Sequence, residues 1–159
     1  MGAYFQYTGV GGLYNGTGLP AGGVIGTAEK VICQTPVPDN REPIQGGVLI
    51  TAQVTFGAAT TTFATLQCRQ STLGTSTGVA GTLVVNGGNT AAGQYTASIG
   101  TQGGTISAAG VNQTGPFTFQ WVDYLGTGPL PVYQLTGSCA LTSVATVLSA
   151  YITVTPLAV

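Results

Sequence analysis

The chain has very little charge. Its 159 residues include three lysines and arginines and four aspartates and glutamates, which is 4% of the chain and leaves a net charge of −1. About 25% is ordinary for a soluble domain. A surface this neutral repels its own copies weakly. One interpretation is a monomer solvated by hydroxyl and amide side chains. The composition favours another, a protein that packs against copies of itself or a larger scaffold.

The chain also has no histidine. This excludes a Ser-His-Asp triad and a Cys-His pair and removes the usual general base at neutral pH. A glycosidase would need two carboxylates beside one bond. Asp39 and Glu42 are neighbours in a proline-rich loop, but such a pair is normally just solvated. We therefore expect no enzymatic activity, no cofactor and no small-molecule substrate.

Cysteine is scarce and widely spaced. Cys33, Cys68 and Cys139 form no C-x-x-C pair, and without histidine a zinc site would need carboxylates that are scattered along the chain. We expect no metal. Each cysteine falls in or beside an apolar segment, which favours buried free thiols. One disulfide with a third thiol left over is the alternative.

Two further absences limit the choice of partner. Three cations neutralise few phosphates, so the composition disfavours binding to nucleic acid by counterion release. No uninterrupted apolar run reaches the ~18 residues of a membrane-spanning helix, so we expect no membrane partner.

The clearest pattern in the chain is a long strand near its end. Ser143–Pro156 is rich in β-branched residues, and its even positions, which include Leu148 and Ile152, are the more apolar. This alternation predicts a half-buried strand with the even face, Leu148 and Ile152 among it, in the core. A long apolar edge would aggregate, so we expect the strand to lie inside a sheet.

Other segments show the same two-residue period. Gly46–Gly57 and Thr61–Thr72 are separated by few residues, which predicts a hairpin. Gly128–Thr136 is predicted to pair with the Ser143–Pro156 strand. Eight or nine strands, turn signals every eight to twelve residues and no helical period predict an all-β fold. We expect an antiparallel β-sandwich, a jelly roll of about eight strands.

The aromatic residues Phe117, Phe119 and Trp121 alternate along one strand face and are predicted to belong to the core. The alternative is a ligand platform for sugar or base stacking. The exposure of Trp121 distinguishes the two, because a platform needs an exposed ring.

The segment 1–23 is rich in glycine, and neither a helical nor an alternating pattern of apolar residues continues along it. We therefore predict an extended arm ahead of a sandwich domain at 24–159. Four aromatics interrupt the glycines: Tyr4, Phe5, Tyr7 and Tyr14. Disordered tails normally lack aromatics. We therefore expect these four side chains to contact neighbouring subunits, with a floppy tail as the alternative.

Three stretches carry a family resemblance: Thr27–Ile32, the GGVLITAQVTF strand that begins at Gly46, and Tyr133–Leu157. With them the chain resembles the small jelly-roll proteins of tailed phages and related viruses, similar to tumour necrosis factor in fold, that decorate capsids or form the heads of fibres. The resemblance implies a homotrimer on the capsid exterior that contacts the major capsid protein. It implies no catalytic residues.

We therefore expect a non-enzymatic virion protein that decorates and stabilises a capsid. Three alternatives remain. One is a filament subunit that donates a strand, for which Val24–Cys33 could serve. Another is a jelly-roll capsid protein, although the arm has no basic residues for the genome. The third is a receptor-binding fibre head that uses Trp121 or exposed tyrosines.

Overall fold

The computed structural model describes residues 7–11, 23–36, 46–58, 62–71, 78–99, 112–125, 131–140 and 144–157. This part of the chain contains ten β-strands and no helix. The strands are β1 Tyr7–Gly11, β2 Val24–Ile25, β3 Lys30–Gln34, β4 Gly46–Ala58, β5 Thr62–Ser71, β6 Thr82–Leu83, β7 Tyr95–Ile99, β8 Asn112–Leu125, β9 Val132–Cys139 and β10 Ala145–Pro156.

The strands form two antiparallel sheets. The first sheet has the order β1-β10-β4-β8, with β2 also paired to β10. The second has the order β3-β9-β5-β6, with β7 also paired to β5. The apolar sides of both sheets supply one common core, as expected for a β-sandwich.

The pairing is that of a folded ribbon. Apart from the two-residue strands β2 and β6, β1 pairs with β10, β3 with β9, β4 with β8, and β5 with β7. The first half of the chain therefore runs beside the second half in reverse order, and the ribbon alternates between the sheets. This is jelly-roll connectivity, and the predicted all-β antiparallel sandwich is confirmed.

Two predicted pairings are wrong. β4 and β5 do not form a hairpin, because β4 pairs with β10 and β8 in the first sheet while β5 lies in the second. β9 does not pair with β10 either, and instead lies between β3 and β5. In both cases a short connection crosses from one sheet to the other.

The predicted even face of β10 is wrong for the first half of the strand. Val147 pairs with Phe56 and Ser149 pairs with Thr55, so Leu148 is the extra residue of a β-bulge. One extra residue shifts the alternation by one position. Before the bulge the buried residues are odd-numbered, Ala145 and Val147, and Val144 is 57% exposed. After the bulge they are even-numbered: Ala150, Ile152 and Val154. Leu148 itself is only half-buried.

The aromatic residues of β8 line the core. Trp121 is fully buried and Phe119 is buried, while Phe117 is partly buried and packs against the core cluster. Tyr95 of β7 lies 5.1 Å from Phe119 and 5.2 Å from Trp121, measured between ring centroids. The rings therefore join the first sheet to the second at this end of the sandwich.

Part of the segment predicted to be an arm lies in the sheet. Tyr7–Gly11 forms β1, whose five residues pair with β10 of the same chain. The structure describes only the backbone of Tyr7, and Tyr4, Phe5 and Tyr14 lie outside the described residues. The aromatic contacts to neighbouring subunits stay a prediction.

Candidate functional site

The outer side of the first sheet is a broad surface without charge, which we name the neutral face. Its described side chains come from the three longest strands. They are Leu49, Thr51, Gln53 and Thr55 of β4, Thr118, Gln120, Val122 and Tyr124 of β8, and Ser149, Tyr151, Thr153 and Thr155 of β10. All twelve belong to the faces that alternate with the buried core positions.

The register aligns these side chains in rows across the sheet. Thr51 lies between Gln120 and Thr153, and Gln53 lies between Thr118 and Tyr151. The Gln53 side-chain amide donates a hydrogen bond to Thr118 Oγ1 over 3.4 Å, and the Gln120 amide donates to Thr51 Oγ1 over the same distance. Hydroxyl and amide groups thus cover the middle of the neutral face, which is polar but uncharged.

Two tyrosines add aromatic surface to this face. Tyr124 is 73% exposed and Tyr151 is 38% exposed. The tryptophan lies on the other side of the sheet: the Trp121 indole donates its Nε1 hydrogen to the Gly93 carbonyl over 2.6 Å inside the core. A buried, hydrogen-bonded indole offers no stacking surface, which counts against a ligand platform built on Trp121.

The segment that precedes β7 closes one edge of the neutral face. Val122 N donates to the Asn86 carbonyl over 2.7 Å, and Gly87 forms a β-bridge with Trp121. The Tyr95 hydroxyl donates to the Gln120 carbonyl over 2.6 Å. These bonds occupy backbone groups of β8 that would otherwise be open to another strand.

The outer side of the second sheet is different, because it holds an ion pair. Glu29 and Arg69 meet through two hydrogen bonds, from Arg69 Nε over 2.7 Å and from Arg69 Nη2 over 2.9 Å. Thr136 Oγ1 donates a third hydrogen bond to Glu29 over 2.5 Å. Arg69 lies on the outer side of β5, where its partners leave it only partly exposed.

The surroundings of Glu29 favour its ionised form. Burial alone would raise the pKa of Glu29, but hydrogen bonds from Arg69, Thr136 and Gln67, together with the charge of Arg69, outweigh it and lower the pKa. The same contact raises the pKa of Arg69. Both side chains are therefore ionised at neutral pH. The ion pair links the β2–β3 connection to β5 and does not serve as a proton donor.

A buried glutamine continues this polar layer. The Gln134 amide nitrogen donates to Gln34 Oε1 over 3.0 Å and to the Gly78 carbonyl over 3.1 Å. Its amide oxygen accepts from Ala80 N over 3.0 Å. Arg69 Nη1 also reaches the Gly81 carbonyl over 3.1 Å. The segment 78–83 is thus bonded onto the second sheet, and no pattern in the sequence pointed to this contact.

The cysteines lie inside the sandwich as free thiols. Cys33 and Cys68 are both in register with Leu135, one strand to each side of it, so two strand spacings, or about 10 Å, separate them. A disulfide needs Cα atoms within about 7 Å. Burial raises the pKa of Cys33, and burial together with the charge of Asp123 raises that of Cys68. Both are therefore poor nucleophiles at neutral pH.

Asp123 lies at the end of the core and accepts a hydrogen bond from the Tyr133 hydroxyl over 2.9 Å. Burial and the charge of Asp123 raise the pKa of Tyr133, so the phenol stays protonated as the donor.

Within the described ranges, no group of three or more Cys, Asp or Glu residues could hold a metal ion. The same part of the chain has no helix able to cross a membrane.

Comparison with known proteins adds no family to these observations. The chain matches no protein-family model and no curated protein sequence.

Proposed function

We propose that the protein is a non-enzymatic structural subunit of a virion, which decorates the capsid exterior as a homotrimer and stabilises it. The observation that carries the proposal is the neutral face, a surface on a jelly roll with no charge among its twelve described side chains. Charged residues are depleted at the core of protein interfaces. Such a face packs against a different uncharged surface of the neighbouring subunit, as a ring of three requires, without desolvating an ion.

The size of the face explains why an arm would be needed. Each side chain takes up about one strand spacing of 4.8 Å by two residue rises of 6.7 Å, so the twelve cover about 390 Å² in projection. A stable interface buries about 800 Å² on each partner. The neutral face supplies less than half of that. The N-terminal arm, with Tyr4, Phe5, Tyr7 and Tyr14, would supply the remainder by contacting neighbouring subunits and the major capsid protein.

The alternatives differ in how well they fit the described residues. Donation of Val24–Cys33 to a neighbour would remove Ile25 and Ile32 from the core of their own sandwich, where both are buried. A fibre head that stacks a ligand on Trp121 would need an exposed ring, and this ring is buried. The trimer of decoration proteins, which rests on the family resemblance, requires neither change.

The test is the native mass of the purified protein at several concentrations, for the unmodified chain and two variants. Thr51→Lys places a charge at the centre of the neutral face. Thr96→Lys places the same charge on an exposed position of β7 in the second sheet. We expect a trimer whose mass does not change with concentration, dissociation by Thr51→Lys and no effect of Thr96→Lys. Circular dichroism verifies that both variants fold.

Two results would contradict the proposal. A monomer at every concentration would contradict an intrinsic trimer. Dissociation by both variants alike would show that added charge, and not the neutral face, controls the assembly.

A further inference from the structure

The starting observation is the way in which β1 and β2 share one edge of β10. Gly11, the last residue of β1, pairs with Ala150, and Val24, the first residue of β2, pairs with Thr146. Both strands run antiparallel to β10. They therefore lie one after the other along the same edge, only four residues of β10 apart.

The chain between these two strands is far longer than the gap. Four residues of a strand cover about 13 Å. Thirteen peptide steps separate Gly11 from Val24, and an extended chain of that length reaches about 43 Å. The connection thus has about 30 Å of length beyond what its own edge requires. A folded domain of 159 residues is about 39 Å across, so the same connection reaches the corresponding edge of an adjoining copy.

The chain after this connection is firmly held. Ile25 is fully buried, Val147 N donates to the Gly23 carbonyl over 2.9 Å, and Cys139 N donates to the Gly26 carbonyl over 2.7 Å. The ion pair of Glu29 with Arg69 fastens the segment that follows. The chain is therefore bonded into its own sandwich from Gly23 onward, and β1 is the strand that can be exchanged while β2 and β3 stay in place.

We propose that β1 is exchanged between copies, so that Tyr7–Gly11 of one subunit pairs with β10 of its neighbour. The inference rests on the proposed assembly, because it states how the arm contacts a neighbouring copy. The exchanged strand forms the same ladder with the same register as it does within one chain. Exchange of an identical element is a low-cost route to assembly, because few contacts are lost overall.

The exchange also makes the assembly harder to dissociate than the neutral face alone would. Once the neutral face of one copy contacts its neighbour, the exchange of β1 between the two becomes intramolecular, with an effective concentration set by the length of the connection. The strand YTGVG carries no charge, so pairing with a neighbour brings no ion to the interface.

The test joins β1 and β10 through a disulfide between chains made separately. Thr8 and Thr153 are directly opposed in the ladder. Opposed Cα atoms are about 4.5–5.5 Å apart, within the range that a disulfide bridges. Chains with Thr8→Cys and chains with Thr153→Cys, carrying different tags, are co-expressed, purified through both tags and oxidised. Exchange predicts a covalent heterodimer on a non-reducing gel.

The matched control uses a ladder that cannot be exchanged without unfolding the sandwich. Thr65 of β5 and Ser138 of β9 are also directly opposed. Co-expressed chains with Thr65→Cys and with Ser138→Cys should give no heterodimer. One chain that carries both Thr8→Cys and Thr153→Cys verifies the register, since it must form a crosslink either within or between chains.

The outcomes separate this inference from the proposed function. A trimer in which the Thr8→Cys and Thr153→Cys chains give no heterodimer overturns the exchange and leaves the trimer intact. A heterodimer in particles whose mass grows without limit supports the exchange and overturns the trimer. Failure of the double variant to crosslink in any form overturns the exchange, because β1 would then not lie on β10.

Discussion

Replacement of Trp121 by phenylalanine tests how the second sheet is joined to β8. The indole is fully buried, and its hydrogen bond to the Gly93 carbonyl is 2.6 Å long. Phe keeps an aromatic ring but leaves this carbonyl without its donor, which costs about 1–3 kcal/mol. The ring is smaller by about 40 Å³, which costs about 1 kcal/mol at ~24 cal/mol per Å³ of cavity. Trp121→Phe should therefore lower the free energy of unfolding by about 2–4 kcal/mol in total.

The assay is urea unfolding followed by circular dichroism, because the chain has one tryptophan and the variant loses its fluorescence. Protein concentration is held equal, since self-association would add to the apparent stability. Tyr124→Phe is the control: this ring is 73% exposed, and its change should stay within about 0.5 kcal/mol. A loss below about 1 kcal/mol for Trp121→Phe would refute the reasoning, because the carbonyl term alone exceeds it.

Three further predictions follow from the described contacts. The pKa of Glu29 is lowered in the folded state, so its contribution to stability is present above the ordinary carboxyl pKa of 4.5 and is lost as the pH falls through the folded value. Glu29→Gln should therefore flatten the dependence of the melting temperature on pH in acid. An unchanged dependence on pH in acid would contradict this. Gly87→Ala should lower the free energy of unfolding in urea by about 1–3 kcal/mol, because a Cβ there would lie 2.5 Å from a backbone carbonyl oxygen of β8. In the control variant Gly26→Ala the added Cβ meets nothing within 4 Å, so this variant should unfold like the unmodified chain. Cys33 and Cys68 should resist a thiol reagent at neutral pH in the folded protein and react fully in denaturant, since both are buried with raised pKa values; rapid labelling of either in the folded state would show that the core opens readily.

The positions of the long strands were predictable because the two-residue period is a local property, whereas β1 lies in a segment without such a period. Val48, Ile50 and Ala52 alternate with Leu49, Thr51 and Gln53 in the sequence, and the first three are fully buried. The pairing of the strands was not predictable in the same way. β4 is followed closely by β5, and a short connection is equally compatible with a hairpin and with a crossing between sheets. Only the burial of both sheets against one core decides between them.

Other features depend on contacts between distant residues. The bulge at Leu148 arises where β10 matches β4, so the sequence of β10 alone could not reveal it. The bond between Arg69 and Glu29 joins residues forty positions apart, and the local alternation of β5 does not indicate it. The neutral face was partly foreseeable, because a chain with seven charged residues must have large uncharged surfaces. Its location required the register of three strands.

The position of β10 has a consequence for how the chain is made. This strand holds β1, β2 and β4 in the first sheet, yet it follows all of them in the sequence. On the ribosome, β1 and β2 must therefore wait for residues 145–156 before they pair, although β4 is able to pair with β8 earlier. Ladders between such distant segments form slowly, and the waiting strands are exposed to aggregation meanwhile. With almost no charge to keep nascent chains apart, the yield of folded protein should depend strongly on expression rate and on chaperones that hold unfinished chains.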